Sequence, residues 1–181
     1  MPSTGALIQA KLGAVNAAGT DLFAACSGFL YGITMVESMI RTGVIKHALV
    51  IGAEVLTKYV DYTDRGTCVI FGDGAGAAVL GPVPEGKGIL ATKIMSDGRY
   101  EEQLNCPGGG TKLGTSHDTI NQGLHFFKMK GNELFKIAVR SMSDISAEML
   151  GRCGLTVDDV DLVIPHQANQ RITDAVAERL R

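Results

Sequence analysis

The sequence predicts an α/β fold, and three observations carry that expectation. Ala48-Leu49-Val50-Ile51-Gly52-Ala53 is apolar without alternation, as for a strand covered on both faces by helices, and a parallel sheet follows. Asp21 to Gly28 reads as a short apolar run, a turn of small residues around Cys26 and the start of an amphipathic stretch, which is a strand, a tight turn and a helix. Twenty-three glycines supply the element ends and shaped loops where close approach or positive φ is needed.

Composition narrows the function classes. With 181 residues, 45% of them hydrophobic and 20% charged, the chain is globular and long enough for a sizeable core. A net charge of −2 and a pI near 6.1 provide no basic field, so nucleic acid is not expected as a partner. The four cysteines, Cys26, Cys68, Cys106 and Cys153, form no short-range pair resembling a metal knuckle or redox motif. Reduced thiols in a cytoplasm are expected. The longest uncharged run, Leu22 to Val36, is too short to cross a bilayer, and no basic segment precedes an apolar one at the start. The expectation is a soluble, unexported protein without a membrane partner.

The elements follow in order. Ser3 caps a first helix reaching about Gly13, with Leu7, Ile8, Lys11 and Leu12 at helical spacing. Residues 20–25 form a strand before Cys26. Phe29, Ile33, Val36 and Ile40 then make the buried side of a helix that Gly43 ends as its C′ residue. After the 48–53 strand, Asp61 to Gly66 is a turn cluster, and Phe71 to Leu80 a glycine turn entering a strand. Gly72 to Ala77 satisfies G-x-G-x-x-A, but Pro82 arrives too soon for the helix that a dinucleotide site requires. Pro82 and Pro84 mark a boundary between two halves, 1–84 and 85–181. Residues 88–96 read as a strand and 98–125 as a long polar loop. A helix runs from Gly131 to Arg152 with Leu134, Phe135, Ala138, Met142, Ile145 and Met149 inward, while Lys136, Arg140, Asp144 and Glu148 form a solvated face. Thr156 to Asp159 is a capping arrangement, Asp161 to Ile164 a strand, and Asn169 to Arg181 a helix with Ile172, Ala175, Val176 and Leu180 inward.

Two residues stand out chemically. A cysteine attacks as the thiolate, and a helix N-terminus stabilises that form through its unpaired N–H groups, so Cys26 is a candidate nucleophile. The alternative is a small buried hydrophobe. His166 follows a strand's carboxyl end, where open α/β sheets bind ligands; it is a candidate base for the thiol or a structural histidine.

Five separated segments carry a resemblance. Ala24-Ala25-Cys26-Ser27-Gly28-Phe29, Thr63-Asp64-Arg65-Gly66-Thr67, Phe71 to Ala77, Met129 to Lys136 and Pro165 to Ile172 resemble the β-ketoacyl-acyl carrier protein synthase III family, in the family's order across essentially the whole chain. The resemblance implies a thiolase-like fold, two similar halves with mixed five-stranded sheets in α-β-α-β-α layers, usually a homodimer. It also implies an acyltransferase that initiates fatty-acid synthesis, with a CoA thioester as substrate and no cofactor or metal. Cys26 would take the acyl group from an acyl-CoA, and malonyl-acyl carrier protein would lose CO2 and attack that acyl group. The Cys26 backbone N–H or a neutral His166 Nε2–H would stabilise the oxyanions. By the same resemblance Arg65 meets the CoA nucleotide, Asn132 and Asn169 line the pantetheine passage, and Phe135 borders the acyl tunnel. Gln167, Ala168, Asn169, Gln170 and Arg171 form the carrier-docking segment. Read without the family, Arg65 is a turn residue, Asn132 and Asn169 are helix caps, Phe135 is core and Arg171 is surface.

The sequence departs from the family pattern in two places. The family's third catalytic group, an asparagine in a Gly-Asn-Thr-Ser type motif, does not occur here, and Gly131-Asn132-Glu133 is a different motif. The strand-rich segment that family members carry before Pro2-Ser3 is also lacking. The resemblance therefore implies the later part of one half and the earlier part of the other, with open sheet edges, marginal stability and self-association. Two other readings stay open: a thiolase-fold synthase with another starter, and a truncated, non-catalytic chain that binds a carrier or a partner.

Overall fold

The computed structural model describes residues 1–181. It contains five α-helices and four strands: α1 (Thr4–Lys11), α2 (Gly28–Arg41), β1 (Ala48–Val55), β2 (Asp73–Leu80), β3 (Leu104–Asn105), α3 (His117–Asn121), β4 (Lys128–Met129), α4 (Gly131–Arg152) and α5 (Gln170–Leu180). β1 pairs with β2, and β3 pairs antiparallel with β4, Leu104 opposite Met129. Packing divides the chain into one unit of residues 1–52 and 77–82 and another of residues 53–76 and 83–181.

In the first unit, α1 begins where expected, with the Ser3 side chain accepting from the Ala6 N–H. A second acceptor comes from outside the helix. The Asp21 carboxylate takes the N–H groups of Thr4 and Gly5 at 2.9 and 2.7 Å, so two of the orphan donors of this helix end are held from 16 and 17 residues away. Gly5 permits that approach, since a Cβ there would lie 2.5 Å from the Thr20 carbonyl oxygen. α2 ends in a Schellman arrangement: Gly43, at φ 74°, donates to the Ile40 carbonyl and Val44 to the Met39 carbonyl. α2 meets β1 through glycines, with Val50 against Gly32 and Phe29 against Gly52.

The second unit owns the best-formed core. Val139 of α4 and Ile172 and Val176 of α5 are buried, and Phe135, Ala138, Met142, Ala168, Ala175 and Leu180 pack around them. The expected α5 stripe and Phe135, Ala138 and Met142 of the α4 stripe therefore face this core, with Val139 and Ser143 also buried, while Leu134, Ile145 and Met149 are half-buried outside it. Ser143 escapes notice in sequence because it is polar, yet its hydroxyl donates to the Val139 carbonyl at 2.8 Å and needs no water. The face read as solvated does more than that. Arg140 reaches the Tyr100 hydroxyl, Asp144 pairs with Arg179, and Glu148 pairs with Lys93 and Arg152. These contacts tie the 93–100 segment and α5 to α4.

The segment 98–125 is more structured than a plain loop. It contains a 3₁₀ stretch at Gly98–Gln103, β3, and the short α3, capped reciprocally by Ser116 and Thr119. Phe127 anchors its end between Tyr59 and Phe71, with ring centroids 5.8 and 4.8 Å away.

Three expected strands do not form. Residues 20–24 lie outside any ladder, as do 88–96 and 161–164. A strand exists only with a partner to take its N–H and C=O groups, and this chain offers these segments none. Nor is β1 covered on both faces: Val50 is buried, but Leu49 and Ile51 are 45% and 37% exposed. The run Gly72 to Ala77 lies at the entry to β2 and within it, not at a helix N-terminus. Of the five-stranded sheets the resemblance implies, this chain forms two-stranded ones.

Candidate active site

Cys26 sits in a single 3₁₀ turn, Ala25–Ser27, that runs directly into α2. The Ser27 N–H bonds back to the Ala24 carbonyl at 3.1 Å, and the Gly28 N–H bonds to the Ala25 carbonyl. Ala25 adopts φ 46° and is the one non-glycine residue with positive φ. An L-residue there pays for the clash of its Cβ with the carbonyl, about 1 kcal/mol. The strained residue immediately precedes the candidate nucleophile and stands at the start of the 3₁₀ turn that leads into the helix. Cys26 is exposed, so the thiol lies within reach of a ligand at the positive end of a 14-residue helix. The structure does not support the alternative of a buried hydrophobe.

His166 belongs to the second unit, in the irregular segment between Val160 and α5. It is exposed and makes no hydrogen bond or ion pair with protein groups. Pro165 precedes it and Asn169 follows as the N-cap of α5, its Oδ1 accepting from the Ile172 N–H at 3.0 Å. The cap role read for Asn169 is thus real, and it leaves the side-chain N–H2 of Asn169 outside the helix. Asn132 lies exposed in the first turn of α4, whose N-cap is Lys130, so Asn132 is not a cap.

Phe135, half-buried one turn into α4, packs against the core on one side. The Arg171 guanidinium carbon stands 5.8 Å from the centre of its ring. Ala168 packs on the same core, while Gln167, Gln170 and Arg171 face solvent, Gln170 donating to Asp174. The structure thus joins Phe135, Ala168 and Arg171, with Asn169 beside them on the chain. Arg65 is elsewhere in this unit, exposed on the turn cluster and without an ion pair.

A cleft of about 170 Å³ lies between Val157, Val163, Pro165 and α5, lined also by Val176 and Leu180. It is apolar and contains none of the candidate site residues. No group of three or more His, Cys, Asp or Glu side chains is placed to hold a metal ion. No helix is long and apolar enough to cross a membrane. None of the four cysteines is in a disulfide. The strained Ala25 and the Asp21 clamp were not read from the sequence. The only signal for the first is an alanine, not a glycine, before a cysteine in a tight turn, which composition does not flag.

The comparisons agree with one another. Residues 20–98 match the family model described as 3-oxoacyl-[acyl-carrier-protein] synthase III, and residues 150–181 match its C-terminal counterpart. The β-ketoacyl-[acyl-carrier-protein] synthase III of Caldanaerobacter subterraneus subsp. tengcongensis is 48% identical over 180 residues, covering 99% of this chain and 54% of the relative. The crystal structure of 3-oxoacyl-[acyl-carrier-protein] synthase III from Aquifex aeolicus superposes with a TM-score of 0.87 at 46% identity, over 99% of this chain and 54% of that one. The priming β-ketosynthase of a polyketide biosynthetic pathway also superposes at 0.87, with 35% identity over 99% of this chain and 53% of that one. The chain spans about half the length of the relatives it matches.

Proposed function

The chain belongs to the 3-oxoacyl-acyl carrier protein synthase III family of thiolase-like condensing enzymes, and from that premise we propose that it carries the acyl-accepting half of a decarboxylative condensing site. The observation that carries this reading is Cys26, exposed after a positive-φ alanine at the start of α2. A thiolate there attacks the thioester carbon of an acyl-CoA, acetyl-CoA in the first instance. The tetrahedral oxyanion collapses and expels the CoA thiolate, leaving the acyl group on Sγ. Backbone N–H groups at a helix start are suitable donors for that oxyanion. In the proposed condensation, malonyl-acyl carrier protein loses CO2, and its carbanion attacks the acyl carbon to give 3-oxoacyl-acyl carrier protein and the free thiol.

The remaining roles are part of the same proposal. His166 serves as an oxyanion donor, free of competing protein partners. Arg65 binds the CoA nucleotide, Asn132 and Asn169 the pantetheine, and Phe135 the acyl group, with Gln167 to Arg171 facing the carrier protein. A division at 84/85 into two thiolase-like halves, a homodimer and a cytoplasmic setting complete the reading; the four thiols accord with a reducing compartment. The Gly-Asn-Thr-Ser asparagine does not occur in these 181 residues, so condensation by this polypeptide alone is expected to be weak while acyl transfer persists. The 35% identity to a polyketide priming ketosynthase supports one second reading, the same chemistry with a different starter.

The test is thioester exchange. The chain is incubated with acetyl-CoA and isotopically labelled CoA, and then with longer and branched acyl-CoAs. Label entering acetyl-CoA supports the reading, faster exchange with another acyl group favours the second starter, and no exchange by folded chain contradicts both.

A further inference from the structure

We propose that Asp64 is the positioning residue for Arg65: its carboxylate is bonded within the turn and not to Arg65, which both fixes the backbone at Arg65 and leaves the guanidinium for an external phosphate. This rests on the reading that Arg65 meets the nucleotide of CoA.

An arginine beside an aspartate in an exposed turn ordinarily pairs with it or moves freely, and either outcome weakens its use against a ligand. Here each carboxylate oxygen already has a partner inside the turn, and Arg65 is not one of them. Asp64 Oδ1 accepts from the Gly66 N–H at 2.9 Å, and Oδ2 accepts from the Thr67 hydroxyl at 2.9 Å. The Asp64 carbonyl accepts from the N–H groups of Thr67 and Cys68 at 3.2 and 3.0 Å. Arg65 is therefore spanned on both sides by bonds to its neighbour.

The turn is also tied down. Thr67 is only 1% exposed, so the Asp64 side chain is bonded to a residue set in the interior. Upstream, the Asp64 N–H bonds to the Asp61 carbonyl at 3.0 Å, and Asp61 Oδ1 accepts from the Thr63 N–H and hydroxyl at 2.9 and 2.6 Å. Gly66 makes room for the carboxylate: a Cβ there would stand 3.1 Å from Asp64 Oδ1. Holding this backbone in advance removes ordering cost from ligand binding.

The experiment measures coenzyme A binding by calorimetry on the whole chain and trypsin cleavage after Arg65. The variants are Arg65→Ala, Asp64→Ala, Asp64→Asn and the Asp64→Ala/Arg65→Ala double. Asp64→Ala is expected to weaken binding about fivefold or more, while the double variant binds no worse than Arg65→Ala alone. Asp64→Asn, which keeps an oxygen for the Gly66 N–H, stays within about twofold of wild type, where a purely electrostatic role would make it bind phosphate more tightly. Cleavage after Arg65 accelerates in Asp64→Ala and not in Asp64→Asn. If Asp64→Ala does not fold, Thr67→Val removes the Oδ2 partner alone and is expected to act in the same direction. Asp64→Ala binding like wild type, or losses that add independently of Arg65, overturns the proposal alone. A folded wild-type chain that binds no coenzyme A overturns the nucleotide reading of Arg65 and the proposal with it.

Discussion

Arg171 lays its guanidinium over the face of Phe135, 5.8 Å from carbon to ring centre, joining the first turn of α5 to the first turns of α4. The family resemblance implies a carrier contact for one residue and an acyl-tunnel wall for the other, and the two are neighbours. An exposed cation–π pair of this kind contributes about 0.5–1 kcal/mol. In a double-mutant cycle with Arg171→Ala and Phe135→Leu, urea midpoints are expected to give a coupling of that size, and coupling near zero would show the contact to be passive.

Asp21 makes the first unit sensitive to acid. Its carboxyl is held below the ordinary carboxylate range, chiefly by the Gly5 N–H and then by that of Thr4. A native pKa below the unfolded one means that the unfolded chain takes up the proton first. The stabilisation is therefore present above the ordinary aspartate range near pH 4 and is lost as pH falls through the depressed value. Asp73 and Asp159, held low mainly by the Thr57 and Thr156 N–H groups, act in the same sense. Asp21→Asn is expected to shallow the acid limb of a stability–pH profile measured between pH 2 and 6. An unchanged limb would contradict the clamp.

Much of this architecture is legible in the sequence, and the part that is not has a common cause. α1, α2, α4 and α5 were readable within a few residues because their signals are local: Ser3 and Asn169 as caps, Gly43 as a C′ residue, and apolar stripes that find each other across α4 and α5. The segments 20–24, 88–96 and 161–164 have strand composition but no ladder, because pairing is a property of two segments and composition speaks only for one. The site divides in the same way. Cys26, His166 and Arg65 are candidates on residue type and motif alone, whereas the φ of Ala25, the reach of Asp21 to α1 and the bonds of the Asp64 carboxylate within its turn are three-dimensional facts.

Unpaired strand segments leave apolar surface in water. Leu162 and Ile164 are 73% and 74% exposed. The 181-residue polypeptide is expected to self-associate as its concentration rises, with an apparent Tm that depends on concentration. Light scattering across a hundredfold dilution checks this. A monomer with a sharp, concentration-independent and high melting point would contradict it.

Ala25 stores strain beside the proposed nucleophile, so relief of strain and loss of acylation are expected together. Ala25→Gly accepts φ 46° without the Cβ clash, which favours the folded chain by about 1 kcal/mol and is offset in part by the entropy of an added glycine. The looser turn aims the thiol less well, and acylation of Cys26 is expected to slow about tenfold. Urea denaturation and single-turnover acylation measure the two effects. A variant that is both less stable and equally fast would show that the strain has no part in presenting Cys26.

The central claim is that Cys26 accepts an acyl group from CoA, and intact-mass spectrometry of the chain mixed with acetyl-CoA tests it most directly, with Cys26→Ala alongside. The account predicts one acetyl adduct per chain that maps to the Cys26 peptide, is cleaved by hydroxylamine and is missing from Cys26→Ala. A folded wild-type chain without the adduct, or an adduct that survives in Cys26→Ala, would contradict it.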